Sequence, residues 1–252
     1  MCCFPRAVCS FNAVVILLIG LLVIDVLLFF TTVNLIIFYV CFEMVLPLML
    51  LLIVGFGCSP ERTLASLYLL LYTTCFSLPM LYVVLTLSYS GFSLCLPIDL
   101  LTFSPLFFLL GGVPMMVKYP LYFLHLWLPR AHVESPVVGS VILAAVLLKI
   151  GSYGLFRLCM LFPHVGIHCF TLVVSLVALS LSCMVLLCVS DVKSLIAYSS
   201  VCHITLLFLG MSSHFTVSTS SAVVLMVSHA FISRLLFHLA NCLYTFSSTR
   251  LS

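Results

Sequence analysis

The chain has 252 residues, of which 65% are hydrophobic and only 6% are charged, and its formal net charge is +3. Ordinary soluble domains contain about 25% charged residues, and a soluble core of this length could not hide so much apolar surface. The chain is therefore predicted to be an integral membrane protein. Its few basic residues are scattered singly, which argues against nucleic-acid binding.

Apolar segments long enough to cross a bilayer follow one another along the whole chain. Because backbone polar groups in a bilayer must be hydrogen-bonded internally, we predict these segments to be helices. The eight predicted spans are residues 12–30, 33–54, 63–89, 101–127, 136–158, 166–189, 193–210 and 219–245. The first is not expected to be a signal peptide, because Asp25 interrupts it and no small-residue cleavage site follows. The predicted fold class is an all-α integral membrane protein with short loops.

Basic residues near the ends of these spans are distributed unevenly between the two sides of the membrane. Under the alternating topology, one side holds Arg6, Arg62, Arg130, Lys193 and Arg250. Only Arg157 lies toward the other side. This bias supports the span count and a single orientation.

The thirteen cysteines are predicted to be packing residues. Their number is odd, most lie in apolar segments and no Cys-x-x-Cys pair occurs, so free cysteines behaving as small hydrophobic side chains are expected. We expect neither a metal site nor an iron–sulfur cluster in this chain.

The fourth predicted span contains an unusual number of helix-breaking residues. They are Pro105, Gly111, Gly112, Pro114 and Pro120. A membrane helix tolerates such residues where neighbours or water satisfy the freed backbone groups, and discontinuous helices are typical of ion sites in transporters. Lys118 is predicted to lie just after the break.

Five titratable residues from five different spans are predicted to share about the same depth. They are Glu43, Lys118, Lys149, His203 and His229. A charge near the bilayer centre costs roughly 2.5–3.5 kcal/mol or more, so such residues face a protein or water interior. We interpret them as a lateral chain of proton carriers. The alternatives are a static ion pair for the charged residues and plain interhelical hydrogen bonds for the histidines.

A polar cluster follows the broken span, where we expect an interface anchor or a loop lock. Its members are His125, Trp127, Pro129, Arg130, His132 and Glu134. Asp25, Arg234 and His238 also lie within spans. Arg234 and His238 are four residues apart and so share a helix face, but the sequence does not identify their partners.

One long stretch, VKYPLYFLHLWLPRAHVESPVVGSVILAAVLLKIGSYGLFR, closely resembles the signature of a known family. The family comprises the antiporter-like proton-pumping subunits of respiratory complex I (NADH:ubiquinone oxidoreductase), and the resemblance is to its mitochondrial subunit 4 branch. Collinear matches are FYVCFEMVLPLMLLLI, SDVKSLIAYSSVCHITLLFLG and MVSHAFISRLLFHLANCLY. The resemblance runs from about residue 30 to residue 245.

The resemblance implies a proton-translocating membrane-arm subunit of the mitochondrial inner membrane. Glu43 is similar to the family's glutamate that pairs with the broken-helix lysine, here Lys118. Lys149 is similar to the next lysine on the conducting axis, which His203 and His229 continue. No redox cofactor is implied in this chain, since FMN, iron–sulfur clusters and ubiquinone belong elsewhere in the complex. The implied partners are other membrane-arm subunits, especially antiporter-like subunits 2 and 5, accessory subunits and lipids such as cardiolipin.

The chain also departs from the family pattern of about fourteen helices in two inverted repeats. We expect a first repeat at residues 1–158, with its broken helix around 101–127, and a shortened second repeat at 159–252. A separate chain is one possible source of the remaining C-terminal helices, and a degenerate second half-channel is the other reading. Asn34 stands where the family often has an aspartate.

Two other functions remain open from the sequence. One is a subunit of a cation/proton antiporter or of a membrane-bound hydrogenase complex, which share the fold and the buried lysines. The other is a non-conducting scaffold of the membrane arm.

Overall fold

The computed structural model describes residues 13–57, 60–91, 105–161, 168–212 and 216–247, and these residues form helices without a β-strand. The helices are α1 (Ala13–Thr31), α2 (Leu35–Phe56), α3 (Arg62–Tyr89), α4 (Pro105–Lys118), α5 (Trp127–Glu134), α6 (Val137–Ile142), a π-helical turn (Leu143–Leu147), α7 (Leu148–Leu161), α8 (His168–Cys188), α9 (Val192–Ser212) and α10 (Thr216–Ser247). The all-α class is confirmed.

Seven helical segments of the described chain are long and apolar enough to cross a membrane, and they correspond to seven of the eight predicted spans. The α6 helix, the π-helical turn and α7 together form one of them, Val137–Met160. The remaining predicted span is two shorter helices, α4 and α5, joined by residues 119–126. The predicted span residues 12, 101–104 and 166–167 lie outside the described residues, as do Arg6 and Arg250.

The break in the fourth span lies after Lys118, so the prediction that Lys118 follows the break is wrong. The α4 helix continues through both glycines and Pro114 and ends at Lys118. Pro120 has no N–H to donate to the Met116 carbonyl. The Leu121 N–H donates to that carbonyl instead, at 3.3 Å, and the helix stops.

The helices pack into a bundle in which the broken helix is central. Consecutive helices α1, α2, α3 and α4 contact one another, and α7 packs against α4. A second group consists of α8, α9 and α10. The short helix α5 lies against both α3 and α9, while α10 contacts α6 and the π-helical turn. The second half of the broken helix, α5, therefore contacts both groups.

Side-chain contacts bring several basic residues to one end of this bundle. The Arg130 guanidinium lies 4.1 Å from the centre of the Tyr68 ring, near the start of α3. The Lys193 backbone N–H, at the start of α9, donates to the Tyr244 hydroxyl near the end of α10, at 3.1 Å. This is the arrangement that the alternating topology predicts.

Candidate functional site

Lys118, the last residue of α4, is buried and forms an ion pair with the half-buried Glu43 of α2. Its side chain is 2% exposed, and its Nζ lies 3.4 Å from Glu43 Oε1. The same ammonium donates to the Phe42 carbonyl and lies 3.3 Å from the centre of the Phe42 ring. A buried ammonium needs such partners, because an uncompensated charge in an apolar interior is strongly unfavourable.

The sequence of α2 explains why a charged side chain is accepted at this point. Pro47 lies inside the helix and has no N–H for the carbonyl of Glu43, four residues earlier. The carbonyl that Lys118 uses belongs to the preceding residue, Phe42. The Glu43 carboxylate and these two carbonyls give this part of α2 an electronegative face.

Gly151 of α7 allows this helix to lie very close to the break between α4 and α5. A Cβ atom built on Gly151 would lie 2.7 Å from the Tyr119 nitrogen and 2.9 Å from the Lys118 carbonyl carbon. Any larger residue would therefore collide with backbone. Lys149 lies two residues before Gly151, so the close approach brings the segment that carries the second lysine against the end of α4.

Lys149 forms the second group together with the two predicted histidines. Its Nζ lies 2.8 Å from His229 Nδ1, and both side chains are buried. The ring centres of His203 and His229 are 5.7 Å apart. The three residues come from α7, α9 and α10 and form a continuous cluster of nitrogen-bearing side chains.

The π-helical turn at Leu143–Leu147 ends two residues before Lys149. Such a turn inserts an extra residue into a helix and shifts the following side chains by about 100° around the axis. Lys149 points toward α10. Without the π-turn, the same residue would be rotated around the helix axis and would point in a different direction. Single π-turns of this kind frequently occur at functional sites.

His203 is placed differently from the expectation. It is exposed on the surface of the chain rather than enclosed, although its ring contacts His229. The five predicted residues thus form two groups, Glu43–Lys118 and Lys149–His229–His203, instead of one evenly enclosed row.

Tyr119 connects the two groups and was missed by the sequence reasoning. Its side chain is buried, and its hydroxyl donates to the Ile204 carbonyl, next to His203 in α9. It directly follows Lys118. The available signal was the sequence Lys118-Tyr119-Pro120, which places an aromatic hydroxyl at the helix break.

Asp25 of α1 is a second acidic residue near the first group. It is half-buried and lies close enough to Lys118 and to Cys41 to interact electrostatically. Its Oδ2 atom is buried without a hydrogen-bond partner in the described part of the chain. Asn34, in contrast, caps α2 by accepting a hydrogen bond from the Ile36 N–H at 2.9 Å.

The polar cluster after the break holds the two halves of the broken helix together. The Trp127 indole N–H donates to the Val117 carbonyl at 2.9 Å, across the break, and the Trp127 side chain is fully buried. The His125 ring stacks on Tyr122 at 4.8 Å and meets Tyr198 of α9 edge-on at 5.6 Å. These contacts fix the path of residues 119–126.

The rest of this cluster anchors α5 itself. Pro129 is buried, and the fully buried His132 ring stacks on Phe237 of α10 with 4.5 Å between ring centres. Glu134 is the last residue of the helix and is half-buried. Among the described residues no group of three or more His, Cys, Asp or Glu side chains could hold a metal ion.

The bundle of membrane helices contains a broken helix, a lysine–glutamate pair and a buried lysine–histidine pair. These features define the class of multi-pass membrane proteins with titratable groups inside the membrane. Comparison with known proteins gives the family. The sequence profile described as "NADH:quinone oxidoreductase/Mrp antiporter, TM" matches residues 32–251. The chain belongs to this family.

Individual relatives agree with this assignment. NADH-ubiquinone oxidoreductase chain 4 of Artemia franciscana is 43% identical over 85% of this chain and 55% of its own length. A chain of respiratory complex I from Thermus thermophilus is 29% identical, with a TM-score of 0.83 over 93% of this chain and 52% of that chain. An archaeal membrane-bound sulfane sulfur reductase shares the fold, with a TM-score of 0.86 at 20% identity over 98% of this chain and 53% of its own. The chain spans about half the length of the curated relatives it matches.

Proposed function

We propose that the chain is a proton-translocating membrane-arm subunit of respiratory complex I in the mitochondrial inner membrane. It would act as one subunit of a proton-translocating NADH:ubiquinone reductase and carry out no redox step itself. The observation that carries the proposal is the pair of buried groups, Glu43–Lys118 and Lys149–His229, at a helix break and beside a π-turn. The family and the names of the curated relatives support it.

In this proposal the hydrogen bond between Lys149 and His229 is the transfer step. A protonated Lys149 donates through Nζ to the lone pair on His229 Nδ1, 2.8 Å away. When the proton moves to Nδ1, the imidazolium can release the other proton from Nε2 toward His203. The histidine thus accepts on one nitrogen and donates from the other without turning its ring.

The pair Glu43–Lys118 is proposed to control this step by changing its contact. While Lys118 is held by the Glu43 carboxylate and the Phe42 carbonyl, its positive charge is compensated. Opening that contact would leave an uncompensated charge, which favours passing a proton onward toward Lys149. The polar cluster after the break is proposed to hold the two halves of the broken helix in fixed positions relative to each other. Its members are His125, Trp127, Pro129, Arg130, His132 and Glu134.

The remaining parts of the proposal concern organisation and partners. We infer a first antiporter-like repeat at residues 1–158 and the beginning of a second at 159–252, both of which include residues outside the described ranges. Membrane-arm neighbours, especially antiporter-like subunits 2 and 5, accessory subunits and cardiolipin would surround the chain. FMN, iron–sulfur clusters and ubiquinone would belong to other subunits.

The test is proton translocation per NADH oxidised in the assembled complex, reconstituted in vesicles. The variants are Glu43→Gln and Lys118→Ala, and the matched control is Glu61→Gln, which changes an exposed glutamate before α3. We expect Glu43→Gln and Lys118→Ala to lower proton translocation while NADH oxidation by an artificial acceptor continues. Unaltered translocation in correctly assembled Glu43→Gln and Lys118→Ala complexes would refute the proposal.

A second candidate is a subunit of a cation/proton antiporter or a membrane-bound hydrogenase complex, because the family description includes Mrp antiporters. The subunits that copurify with the chain separate the two functions, since complex I brings flavin and quinone-site subunits. A non-conducting scaffold is the third candidate, and the exposure of His203 favours it. The translocation experiment distinguishes it from both conducting functions.

A further inference from the structure

Two cysteine side chains meet between α8 and α9. The Cys183 thiol of α8 donates to the Cys202 sulfur of α9, with 3.9 Å between the two sulfur atoms. The Cys202 thiol in turn donates to the Ser182 hydroxyl at 3.3 Å. Ser182 is fully buried, and its hydroxyl donates to the Leu179 carbonyl at 2.9 Å. This chain of hydrogen bonds fixes the orientation of the Cys202 thiol beside Cys183.

The fold holds the two cysteines at this distance. The α8 helix ends at Cys188 and α9 begins at Val192, so three residues join two helices that pack directly against each other. The sulfur atoms of a disulfide lie about 2.0 Å apart, so these two sulfurs would have to approach by about 1.9 Å more. Because α8 and α9 are already in contact, this is a local adjustment within an existing helix pair.

The two thiols differ in exposure, which gives them different parts in an oxidation. Cys183 is exposed, whereas Cys202 is half-buried. A reagent that approaches α8 from outside the bundle therefore meets the Cys183 sulfur first. Cys202 lies behind it, with its sulfur already in contact, and is placed to react with an oxidised Cys183.

We propose that Cys183 and Cys202 are a reversible oxidation site, at which a hydroperoxide converts the two thiols to a disulfide between α8 and α9. In the first step the Cys183 sulfur attacks the terminal peroxide oxygen and the O–O bond breaks. The alcohol leaves with the thiol proton, so the peroxide is reduced and Cys183 becomes a sulfenic acid. In the second step the Cys202 sulfur attacks the Cys183 sulfur, the S–O bond breaks, and water leaves with the Cys202 proton.

The proposal depends on proximity rather than on an activated thiol. Cysteines in apolar surroundings react slowly, because the thiolate is the nucleophile. The second step differs from the first, since the contact between the sulfurs gives Cys202 a high effective concentration. A slow first oxidation is therefore captured as a disulfide before Cys183 proceeds to the sulfinic acid. Cys202 directly precedes His203, so the disulfide would hold α8 against the segment that carries this histidine.

The test uses the unaltered complex in its membrane, treated with cumene hydroperoxide, an apolar reagent. Remaining thiols are alkylated with N-ethylmaleimide, and mass spectrometry locates disulfide-linked peptides. The matched control is Cys75, an exposed cysteine in the middle of α3, as Cys202 is in the middle of α9. We expect a disulfide between Cys183 and Cys202, in a yield at least about tenfold above that of any disulfide of Cys75. Dithiothreitol should return both thiols.

A Cys202→Ser variant separates the two steps. Without the second thiol, the Cys183 sulfenic acid should accumulate, and a 1,3-diketone that reacts with sulfenic acids should trap at least about tenfold more of it than in the unaltered complex. If this variant does not assemble, the measurement on the unaltered complex decides the question.

Three results in the unaltered complex would overturn the proposal. They are a Cys183 that stays reduced, a Cys183 sulfinic acid without the disulfide, and a disulfide from Cys183 to a different cysteine. Because the measurement follows thiol chemistry, the proposal can hold or fail independently of proton translocation.

Discussion

The close approach of α7 to the helix break leads to a sharp prediction for Gly151→Ala. The added Cβ would lie 2.7 Å from the Tyr119 nitrogen and 2.9 Å from the Lys118 carbonyl carbon. Both atoms belong to the backbone, so no side-chain rotation can relieve the overlap. Reaching ordinary contact near 3.4 Å requires α7 and the break to separate by about 0.7 Å.

The magnitude follows from comparison with a glycine in open surroundings. Gly20 lies inside α1, and a Cβ there would meet nothing within 4 Å. Both Gly→Ala changes gain about 1 kcal/mol of helix propensity, while the Gly151→Ala overlap costs about 1–3 kcal/mol. We therefore expect Gly20→Ala to be neutral or stabilising, and Gly151→Ala to be less stable than Gly20→Ala by about 1–3 kcal/mol.

The assay is the free energy of unfolding of the purified chain in mixed micelles, with helicity measured during titration with dodecyl sulfate. In the assembled complex, the same variant should also lower proton translocation, because the displaced break carries Lys118 away from Glu43. Equal stability of the Gly151→Ala and Gly20→Ala variants would refute the packing of α7 against the break.

Three further predictions use the contacts around the break and the second lysine. Tyr119→Phe keeps the ring but removes the hydroxyl that donates to α9, so unfolding should become easier by about 0.5–1.5 kcal/mol in the same titration; unchanged stability would contradict that bond. Trp127→Phe leaves the Val117 carbonyl of α4 without its indole donor and should lower the free energy of unfolding by about 1–3 kcal/mol. A smaller loss than for Tyr119→Phe would count against the hydrogen bond between Trp127 and Val117. Lys149→Met should lower proton translocation by at least about 100-fold while changing stability by no more than about 1 kcal/mol, since an apolar residue replaces a buried charge. A parallel loss of stability and translocation would instead indicate a structural role for Lys149.

Much of the helical layout could be predicted because hydrophobic length is a strong signal. Seven spans were predicted correctly to within a few residues of the observed helices. The pairing of Glu43 with Lys118 was implied by the resemblance to the family, whose glutamate pairs with the broken-helix lysine. The structure gives this pair at 3.4 Å.

Other features depend on geometry that residue spacing does not contain. The break was expected before Lys118 because two glycines and Pro114 precede it. The α4 helix instead continues through them and ends at Lys118, because Pro120 lacks the N–H that would continue it. The π-turn before Lys149 has no breaker residue in its sequence, LAAVL. It sets the direction of Lys149 and therefore the contact with His229.

The exposure of His203 illustrates a different limit. Its position in the middle of α9 could be read from the sequence, but which face of α9 is covered depends on which helices pack there. Neighbours α8 and α10 cover the two flanks of α9 and leave the stripe with His203 and Leu206 open. Tyr119 was overlooked for the same reason, since its contact with Ile204 joins residues 85 positions apart.

The most direct measurement of the central claim is a density map of the assembled complex that resolves ordered water inside the membrane. We expect water or polar side chains to connect Lys118 with Lys149 in hydrogen-bonded steps and to continue through His229 to His203. Apolar side chains packed without water between the Glu43–Lys118 pair and the Lys149–His229 pair would contradict the proposed proton path.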